Sequence, residues 1–481
     1  MVNQYRKDMQ LKNIFILSCI FVLSKGMISA QQITAFVTNA DLSKKLSPLQ
    51  LKFGEPSSVC DHLYIINAVV DCQTIEGFGA ALTGSSALVL NYLDEKERTG
   101  LLKNIFDPDS GSGFNYLRIS IGASDFSAYN WTHTRNDNRT FEFKDPEGVV
   151  PILQTVKSIN PGLKIMASLW SPPAYMKKNT ESLVGGSFDP AKGRDLADYF
   201  IRFINEMDRR NLKVDAVTIQ NEPLYNTAKY MCMYMSAEQQ RDFIKNDFGR
   251  RLFNNNKKRN LRTGLYVYDH NWDHAFDYVN TIYQDKSVRK YVAGAAFHAY
   301  NGNVSEQTRV KNLDYSKDIL LTEITGHTTS DGTPEDFIWA MNNTVIGNLQ
   351  NYGSGLIYWN LALDTNGGNG HFGPVAAGGP TNCRGVIDIN KKTKAVRYNV
   401  EFYAIAHAGK IIRPGAKRID SGAPESNGVK QVAFINPDDS RAMILFNNGD
   451  SDKKIAVKDG DRYINLTLEA KNVISLRWSV D

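Results

Sequence analysis

The sequence predicts a (β/α)8 TIM barrel with an attached antiparallel β-sandwich, which the C-terminal tail and the N-terminal strands form together. From about residue 75 to 400, apolar strands alternate with amphipathic helices, and from about 410 short apolar runs alternate with Asn-Gly and Asp-Gly turns. Alternation of strands and helices favours a parallel sheet, eight such units favour a closed barrel, and short runs between turns favour a sandwich. We predict a signal peptide at 1–30, sandwich strands at 31–74, the barrel at 75–409 and the rest of the sandwich at 410–481.

Each predicted barrel strand is a short, nearly continuous apolar run, as expected for a strand that is buried on both faces. The eight candidates are Ile75–Leu82, Tyr116–Ile121, Leu163–Leu169, Ala216–Gln220, Gly264–Tyr268, Gly294–His298, Ile319–Thr322 and Gly355–Asn360. Helical stretches between them include Leu88–Phe106, Asp195–Arg210, Ala237–Phe253 and Pro334–Tyr352. An open, doubly wound sheet is the alternative, but no phosphate-binding glycine motif follows any of these strands.

The sandwich is predicted from shorter runs on both sides of the barrel. The N-terminal runs are Leu63–Ile66 and Ala68–Val70, and those of the tail are Val432–Ile435, Arg441–Phe446, Lys454–Val457, Tyr463–Leu468 and Val473–Val480. Because turn residues separate them at short intervals, we expect these runs to pair as antiparallel strands.

The first 30 residues have the three parts of a secretory signal peptide. Arg6, Lys7 and Lys12 precede the apolar run Ile14–Ser24, and small residues lead to Ala30. The apolar run is shorter than the ~20 residues of a membrane span. We therefore predict cleavage after Ala30 and a secreted, periplasmic or cell-surface protein. A lipobox that ends at Cys19, with a lipid anchor on that cysteine, is the alternative.

The charge of the mature chain excludes strongly electrostatic partners. Residues 1–30 hold four basic residues and one acid, so their removal lowers the formal net charge from +5 to +2. A nearly neutral protein has no electrostatic attraction to nucleic acid or to an anionic membrane. We expect neither partner, no integral membrane span, and a monomer.

Four cysteines remain after residue 30: Cys60, Cys72, Cys232 and Cys383. They form neither a C-x-x-C motif nor a cluster with histidine, so we predict no zinc site. Export would permit a disulfide between Cys60 and Cys72, but sequence alone leaves this pairing open.

Two of the predicted barrel strands end in a glutamate. Glu222 follows the strand Ala216–Gln220, and Glu323 follows Ile319–Thr322. Barrels of this class build their active sites at the carboxyl ends of the strands. Two glutamates at that rim can divide the work of glycoside hydrolysis, one as acid/base and the other as nucleophile.

Polar or aromatic residues lie at or just past the ends of all eight strands. In chain order these residues are Thr83, Asp125, Trp170, Asn221, Glu222, Asp269, His270, Asn271, Trp272, His298, Tyr300, Glu323, Trp359 and Asn360. Their convergence on one barrel face predicts a common site.

Several motifs occur here in one fixed order. They are Gly77-Phe78-Gly79-Ala80-Ala81-Leu82-Thr83, Gly122-Ala123-Ser124-Asp125-Phe126-Ser127, Ala167-Ser168-Leu169-Trp170-Ser171-Pro172-Pro173, Asn221-Glu222-Pro223, Gln240-Arg241-Asp242-Phe243-Ile244, His298-Ala299-Tyr300, Thr322-Glu323 and Trp359-Asn360-Leu361-Ala362-Leu363. Together they resemble glycoside hydrolase family 30, the family of glucosylceramidases and of bacterial and fungal β-1,6-glucanases. The resemblance covers essentially the whole mature chain.

The resemblance implies roles for individual residues. Glu222 matches the general acid/base and Glu323 the nucleophile of a retaining mechanism, while Asn221 matches the residue that binds the sugar 2-hydroxyl. Tyr300 matches a tyrosine that holds the nucleophile. Residues expected to bind substrate are Asp125, Trp170, Asn221, Asp269, Trp272, His298, Tyr300, Trp359 and Asn382. This chemistry requires no metal or organic cofactor.

One position departs from the family pattern. Where the glucosylceramidases carry an aspartate that binds hydroxyls far from the scissile bond, this chain has Gly84. We expect a weaker hold on a terminal glucose and open space at the distal end of the sugar. The sequence thus predicts a secreted retaining β-glycosidase with β-1,6-glucan as substrate. The alternatives are a glucosylceramidase-like exo-β-glucosidase, a β-xylosidase, a β-fucosidase or, from another class, a non-catalytic carbohydrate-binding protein.

Overall fold

The computed structural model describes residues 33–327, 334–365, 380, 382–422 and 425–480. Within these residues the chain forms a closed eight-stranded barrel and a sandwich of two sheets, so the predicted fold class is confirmed. The predicted signal peptide, including Cys19, lies outside the described residues.

The barrel strands, labelled β1 to β8 in chain order, form one closed parallel sheet. Their bounds are Gly77–Ala81, Tyr116–Ile121, Lys164–Leu169, Ala216–Thr218, Gly264–Asn271, Gly294–His298, Asp318–Glu323 and Gly353–Tyr358. Strand β8 closes the barrel by pairing with β1. Every predicted strand is present, and most ends lie within two residues of the prediction, because the continuous apolar runs mark the buried strands. Strand β5 runs three residues further than predicted, to Asn271.

Helices connect the strands around the outside of the barrel, and one more follows β8. The α-helices are Gly84–Leu90, Glu95–Phe106, Val149–Ile159, Gly193–Arg209, Ala237–Phe243, Gly249–Arg259, Ala275–Tyr283, Lys286–Arg289, Glu306–Lys311, Pro334–Trp339, Ile346–Gln350 and Val400–Gly409. The single helix predicted over 88–106 is wrong, because Asp94 begins a new helix there through a capping box with Glu97. Two other predicted helices pass through π-helical turns at Ile244–Phe248 and Ala340–Val345.

The sandwich combines both ends of the described chain. One sheet has the strand order Ser47–Pro48, Thr34–Asn39, Asn472–Trp478, Arg441–Asn447, Val429–Ile435, Lys417–Asp420 and Asn67–Thr74, with Glu425–Ser426 beside Val429–Ile435. The other has the order Phe53–Gly54, Arg462–Leu468, Lys453–Asp459 and His62–Ile65. The N-terminal strands join the sandwich as expected. The pairing of His62–Ile65 with Lys453–Asp459 is parallel, unlike the antiparallel pairing that was predicted.

Short strands of two or three residues occur in the barrel loops and in the segment after β8. They are Lys177–Lys178, Ser187–Phe188, Gly326–His327, Ala362–Asp364, Cys383–Arg384, Ile387–Ile389 and Val396–Tyr398. The four cysteines of the described residues are free thiols, so the Cys60–Cys72 disulfide left open by the sequence is not formed. In the described part of the chain, no helix combines the length and the hydropathy needed to cross a bilayer.

The barrel interior changes from apolar to polar toward the carboxyl ends of the strands. Its lower layer holds buried side chains that include Tyr116, Met166 and Leu320. Side chains two residues further along a strand point the same way, and these are the polar residues Arg118, Ser168 and Thr322, all fully buried. A polar layer therefore lies directly beneath the rim where Glu222 and Glu323 stand.

Candidate active site

Arg118 is the centre of the buried polar layer. Its guanidinium donates to Oε2 of Glu323 at 2.5 Å, to Oδ1 of Asn221 at 2.8 Å, to Oδ2 of Asp269 at 2.9 Å and to Oγ of Ser168 at 3.0 Å. Sequence reasoning missed Arg118. The signal was present, since a single charged residue in the apolar strand Tyr116–Ile121 must face a polar interior or carry a buried partner.

Asp269 and His298 form the second level of this network. A bulge in β5, where Tyr268 and Asp269 both have positive φ, turns the Asp269 side chain into the barrel. Asp269 accepts from Oγ1 of Thr322 at 2.7 Å, and Nε2 of His298 lies 3.2 Å from its Oδ1. Burial alone would raise the pKa of Asp269, but the charge of Arg118 outweighs it and holds this pKa far below its ordinary value.

His298 joins Asp269 to Glu222. Its Nδ1 lies 3.1 Å from Oε1 of Glu222, and its Nε2 lies 3.7 Å from Oε2 of Glu323. Burial alone would lower the pKa of His298, but the charge of Glu323 and the hydrogen bonds to Asp269 and Glu222 raise it to about 10. At neutral pH the imidazole therefore carries a proton, which it can share with Glu222 across their hydrogen bond.

Glu323 is buried between a cation and a hydroxyl. Besides the contact with Arg118, its Oε1 accepts from the hydroxyl of Tyr300 at 3.0 Å. Burial raises the pKa of Glu323, and the positive charges of His298 and Arg118 lower it. The negative charge of Glu222 raises it further, so the net shift is upward. The pKa of Glu323 thus depends on whether Glu222 carries a proton.

Glu222 faces Glu323 across the pocket. Its backbone has a φ of 45°, a left-handed conformation that is uncommon for glutamate. Burial would raise the pKa of Glu222, but the hydrogen bond to His298 outweighs it, so the net shift is downward. One oxygen of Glu222, one of Glu323 and one nitrogen of His298 all lie within 4.8 Å of one another. That spacing would also fit a metal ion, but the charge of Arg118 on Glu323 disfavours a second cation there.

The two glutamates border a cavity of about 260 Å³. Six of the predicted substrate-binding residues line it together with Glu222 and Glu323: Asp125, Trp170, Asn221, Tyr300, Trp359 and Asn382. Three of its lining residues have a buried polar atom without a hydrogen-bond partner among the described residues, namely Oδ1 of Asp125, Nδ1 of His270 and Nε1 of Trp359. Hydroxyl groups of a bound ligand, or water in its absence, can satisfy these three atoms.

Three predicted substrate-binding residues do not line the cavity. Asp269 and His298 are fully buried beneath it and bond to other protein groups. Trp272 is buried against the outer helices, and its indole N–H donates to Gln307 at 3.1 Å. The structure thus places these three away from the cavity wall: Asp269 and His298 lie in the polar layer beneath it, and Trp272 lies toward the outer helices.

Aromatic rings form two walls of the cavity. The rings of Trp170 and Trp359 are stacked with centroids 4.9 Å apart, and the Arg118 guanidinium lies 4.8 Å and 5.3 Å from their centroids. Tyr225 and Tyr230, from the loop after Glu222, stack on each other with centroids 6.0 Å apart. Sequence reasoning missed this tyrosine pair, because it lies in a loop without periodicity.

The space beside Gly84 is occupied. A Cβ at position 84 would lie 2.0 Å from Oε2 of Glu147, whose carboxylate is buried there. Glu147 accepts from the backbone N–H of Ala128 at 2.7 Å and from the indole of Trp131 at 3.3 Å. The expectation of open space next to Gly84 is therefore wrong, since a carboxylate from another loop fills it.

Asp125 and His270 differ in charge from the glutamates. Burial, followed by the charges of Glu323 and Glu222, raises the pKa of Asp125 well above its ordinary value. Burial also lowers the pKa of His270 to about 4. Burial thus favours the uncharged form of both side chains, which can form hydrogen bonds to hydroxyl groups.

A closed (β/α)8 barrel with two facing glutamates at the carboxyl ends of β4 and β7 is the architecture of a retaining glycoside hydrolase. Residues 75–412 match the family model of the glycosyl hydrolase family 30 TIM-barrel domain, and residues 415–476 match the family 30 beta sandwich domain. The chain belongs to glycoside hydrolase family 30, and it is a glycoside hydrolase with a carbohydrate substrate.

Individual relatives agree with this assignment. The chain is 30% identical over 474 residues to an endo-1,6-beta-D-glucanase of Neurospora crassa, with 94% of each chain covered. It is 27% identical to the lysosomal acid glucosylceramidase of Mus musculus, covering 81% of this chain and 78% of that one. Among solved structures, the endo-beta1,6-glucanase BT3312 superimposes with a TM-score of 0.87 at 32% identity, covering 94% of this chain and all of the other.

Proposed function

We propose that this protein is a secreted endo-β-1,6-glucanase that cleaves its substrate with retention of anomeric configuration. The observation that carries the retaining mechanism is the short distance between the two glutamates, whose oxygens approach within 4.8 Å. Retaining enzymes hold their two carboxyl groups roughly 5–5.5 Å apart, whereas inverting enzymes leave room for a water between them.

In this mechanism Glu323 is the nucleophile. Its carboxylate attacks the anomeric carbon and forms a glycosyl-enzyme while the bond to the leaving oxygen breaks. Arg118 and Tyr300 donate hydrogen bonds to the Glu323 oxygens, so they orient the carboxylate and favour its ionised form.

Glu222 is the acid/base, and its proton is shared with His298. Arg118 and a protonated His298 carry two positive charges, and Asp269 supplies one negative charge. With Glu323 and Glu222 both ionised, the cluster carries one net negative charge, and the Glu222–His298 pair holds one transferable proton, which lies on His298. Transfer of that proton along the 3.1 Å contact gives the carboxylic acid that protonates the leaving oxygen. It also removes the Glu222 charge that raises the pKa of Glu323.

The cavity walls provide the contacts to the sugar at the cleavage point. We propose that Trp170 and Trp359 pack against the sugar ring. Asn221 binds its 2-hydroxyl, and Asp125 and Asn382 bind further hydroxyls. Asp125 Oδ1 and Trp359 Nε1 have no partner among the described residues, and hydroxyl groups would satisfy both.

The glutamate roles are tested by removing each carboxylate. Glu323→Ala should abolish turnover of every substrate, because no covalent intermediate forms. Glu222→Ala should still form the glycosyl-enzyme from a β-glucosyl fluoride, and added azide should restore turnover by attacking that intermediate. Equal loss in both variants, without rescue by azide, would contradict the assignment.

The choice of β-1,6-glucan rests on the named relatives and on the absence of an aspartate at position 84. Two relatives that cover nearly the whole chain are described as endo-1,6-β-glucanases. The loss of the family aspartate, whose space Glu147 fills, removes a group that would hold a terminal glucose. That loss weakens the hold on a terminal glucose, and the internal mode of cleavage rests on the named relatives.

Substrate choice is decided by product analysis. Purified protein is offered β-1,6-glucan, β-1,3-glucan, β-1,4-xylan, glucosylceramide and aryl β-fucoside. We expect cleavage of β-1,6-glucan and an early ladder of oligosaccharides. Glucose as the sole early product would indicate exo action, cleavage of another substrate alone would indicate that specificity, and binding without cleavage would indicate a non-catalytic protein.

We also propose export through the N-terminal segment 1–30. Its support is the order of basic residues, apolar run and small residues that ends at Ala30. N-terminal sequencing of the exported protein should begin at Gln31. A mature chain that starts at a lipid-modified Cys19 would mean that the protein is anchored to a membrane and not secreted. A chain that stays inside the cell and still begins at Met1 would refute export.

A further inference from the structure

Two neighbouring loops form the side of the cavity that carries the tyrosine pair. One loop, residues 170–192, follows β3, and the other, residues 221–236, follows β4 and carries Tyr225 and Tyr230. Backbone contacts join them, with Tyr234 donating to the carbonyl of Gly186 at 2.9 Å and Phe188 donating to the carbonyl of Tyr234 at 2.9 Å.

Lys177 belongs to the first loop and contacts the second. Its ammonium donates to Oγ of Ser171 at 2.9 Å, to the carbonyl of Leu183 at 2.9 Å and to the carbonyl of Cys232 at 3.1 Å. An ammonium has three N–H groups, so each finds one acceptor. Ser171 is next to Trp170 in the chain, and Cys232 is two residues beyond Tyr230.

The burial of Lys177 is unusual for a lysine. The residue is 6% exposed, and no carboxylate in the described ranges lies within ion-pair distance of its ammonium. Burial lowers the pKa of Lys177 to about 8. A charge buried without a counter-ion destabilises the folded chain, so its three contacts must compensate.

We propose that Lys177 is a positioning residue that fixes the leaving-group side of the cavity by joining the loop after Trp170 to the loop after Glu222. Lys177 itself does not line the cavity, and it acts through the tyrosine pair. This inference rests on the proposed function: Tyr225 and Tyr230 line the cavity on the loop that begins beside the acid/base Glu222, so we place the leaving part of the glucan against them.

The test separates the leaving-group side from the reacting centre by two substrates. A β-1,6-linked gluco-oligosaccharide places a sugar against the tyrosines, whereas a β-1,6-linked diglucosyl fluoride has a single atom as leaving group. In Lys177→Met, which keeps the length of the side chain but loses its donors, we expect the KM for the oligosaccharide to rise about tenfold. The kcat/KM for the fluoride should stay within about threefold of the wild type.

Lys178 provides the matched control. It follows Lys177 in the same short strand, its side chain is 57% exposed, and it forms an ion pair with Asp189 at 3.5 Å. Lys178→Met should change neither substrate's kinetics. Tyr230→Ala serves as the reference variant, and it should show the same selective loss as Lys177→Met.

Each outcome decides the proposal. An unchanged oligosaccharide KM in Lys177→Met, or equal losses with oligosaccharide and fluoride, would overturn the positioning role. If Lys177→Met does not fold, Ser171→Ala removes one of the three acceptors and should raise the oligosaccharide KM in the same selective way. A wild type that is inactive on β-1,6 linkages would refute the proposed function. The role of Lys177 would then be tested by comparing an oligosaccharide and a fluoride of the linkage that the enzyme does cleave.

Discussion

Nδ1 of His298 lies 3.1 Å from Oε1 of Glu222, so the acid/base and a buried imidazole share a hydrogen bond beneath the cavity. The pKa of His298 is raised to about 10, so the pair keeps its proton until the pH approaches that value. The corresponding contribution to folding stability is complete below the ordinary histidine pKa of 6.5 and is lost as the pH rises toward 10.

His298→Asn should move the alkaline limb of the kcat/KM profile to lower pH. The wild-type pair loses its proton only as the pH approaches the His298 pKa of about 10. Without the imidazole, Glu222 alone must hold the proton, and burial raises its pKa from the ordinary glutamate value but not as far as 10. The pH dependence of kcat/KM on β-1,6-gluco-oligosaccharides measures this shift. An alkaline limb at the same pH in wild type and variant would show that His298 does not share the catalytic proton.

Arg118→Met should lower the free energy of unfolding by about 3–5 kcal/mol, because it removes the guanidinium that pairs with both buried carboxylates, Asp269 and Glu323. Denaturant titration measures the change. Arg241→Met is the matched control, since Arg241 pairs with the exposed Asp242. It should cost less than about 1 kcal/mol. Similar losses in both variants would contradict the central place of Arg118.

Gly84→Ala should destabilise the protein by about 1–3 kcal/mol, because its Cβ would overlap the buried carboxylate of Glu147. Gly100→Ala is the control, since a Cβ at Gly100 meets nothing within 4 Å and the helix Glu95–Phe106 prefers alanine. Combined with Glu147→Ala, the Gly84→Ala change should cost less than it does alone, as a double-mutant cycle of unfolding free energies would show. Additive costs would mean that the two positions are independent.

Asp125→Asn should retain kcat/KM within a few-fold, whereas Asp125→Ala should lose about tenfold. The reason is that burial raises the pKa of Asp125 well above its ordinary value, which favours the protonated form, and that form both donates and accepts as an amide does. Steady-state kinetics on β-1,6-gluco-oligosaccharides compare the two variants. Equal losses would mean that substrate requires a charged carboxylate at this position.

Local pattern made the barrel and the glutamates predictable. Each barrel strand contains a nearly continuous apolar run, Glu323 follows such a run directly, and Glu222 follows one after a single residue, Asn221. The ends of parallel strands meet at one rim, so the position of both residues follows from chain order. The same reasoning located Trp170, Asn221 and Trp359 at the cavity.

The sequence did not predict features that depend on register or on contacts between distant segments. The bulge in β5 shifts the register by one residue and turns Asp269 inward, where the sequence predicted a rim residue. Glu147 fills the space at Gly84 from a loop more than sixty residues away in the chain. Lys177 joins three acceptors from separate parts of two loops. None of these contacts leaves a periodic signal.

The central claim is double displacement on β-1,6-glucan by Glu323 and Glu222. Proton NMR of the anomeric region, recorded during the first minutes of hydrolysis, tests it most directly because mutarotation has not yet mixed the anomers. We predict that new reducing ends appear first as the β-anomer, on oligosaccharides of several lengths. The α-anomer appearing first would mean inversion and would contradict the role of Glu323, and an absence of new reducing ends would contradict the proposed substrate.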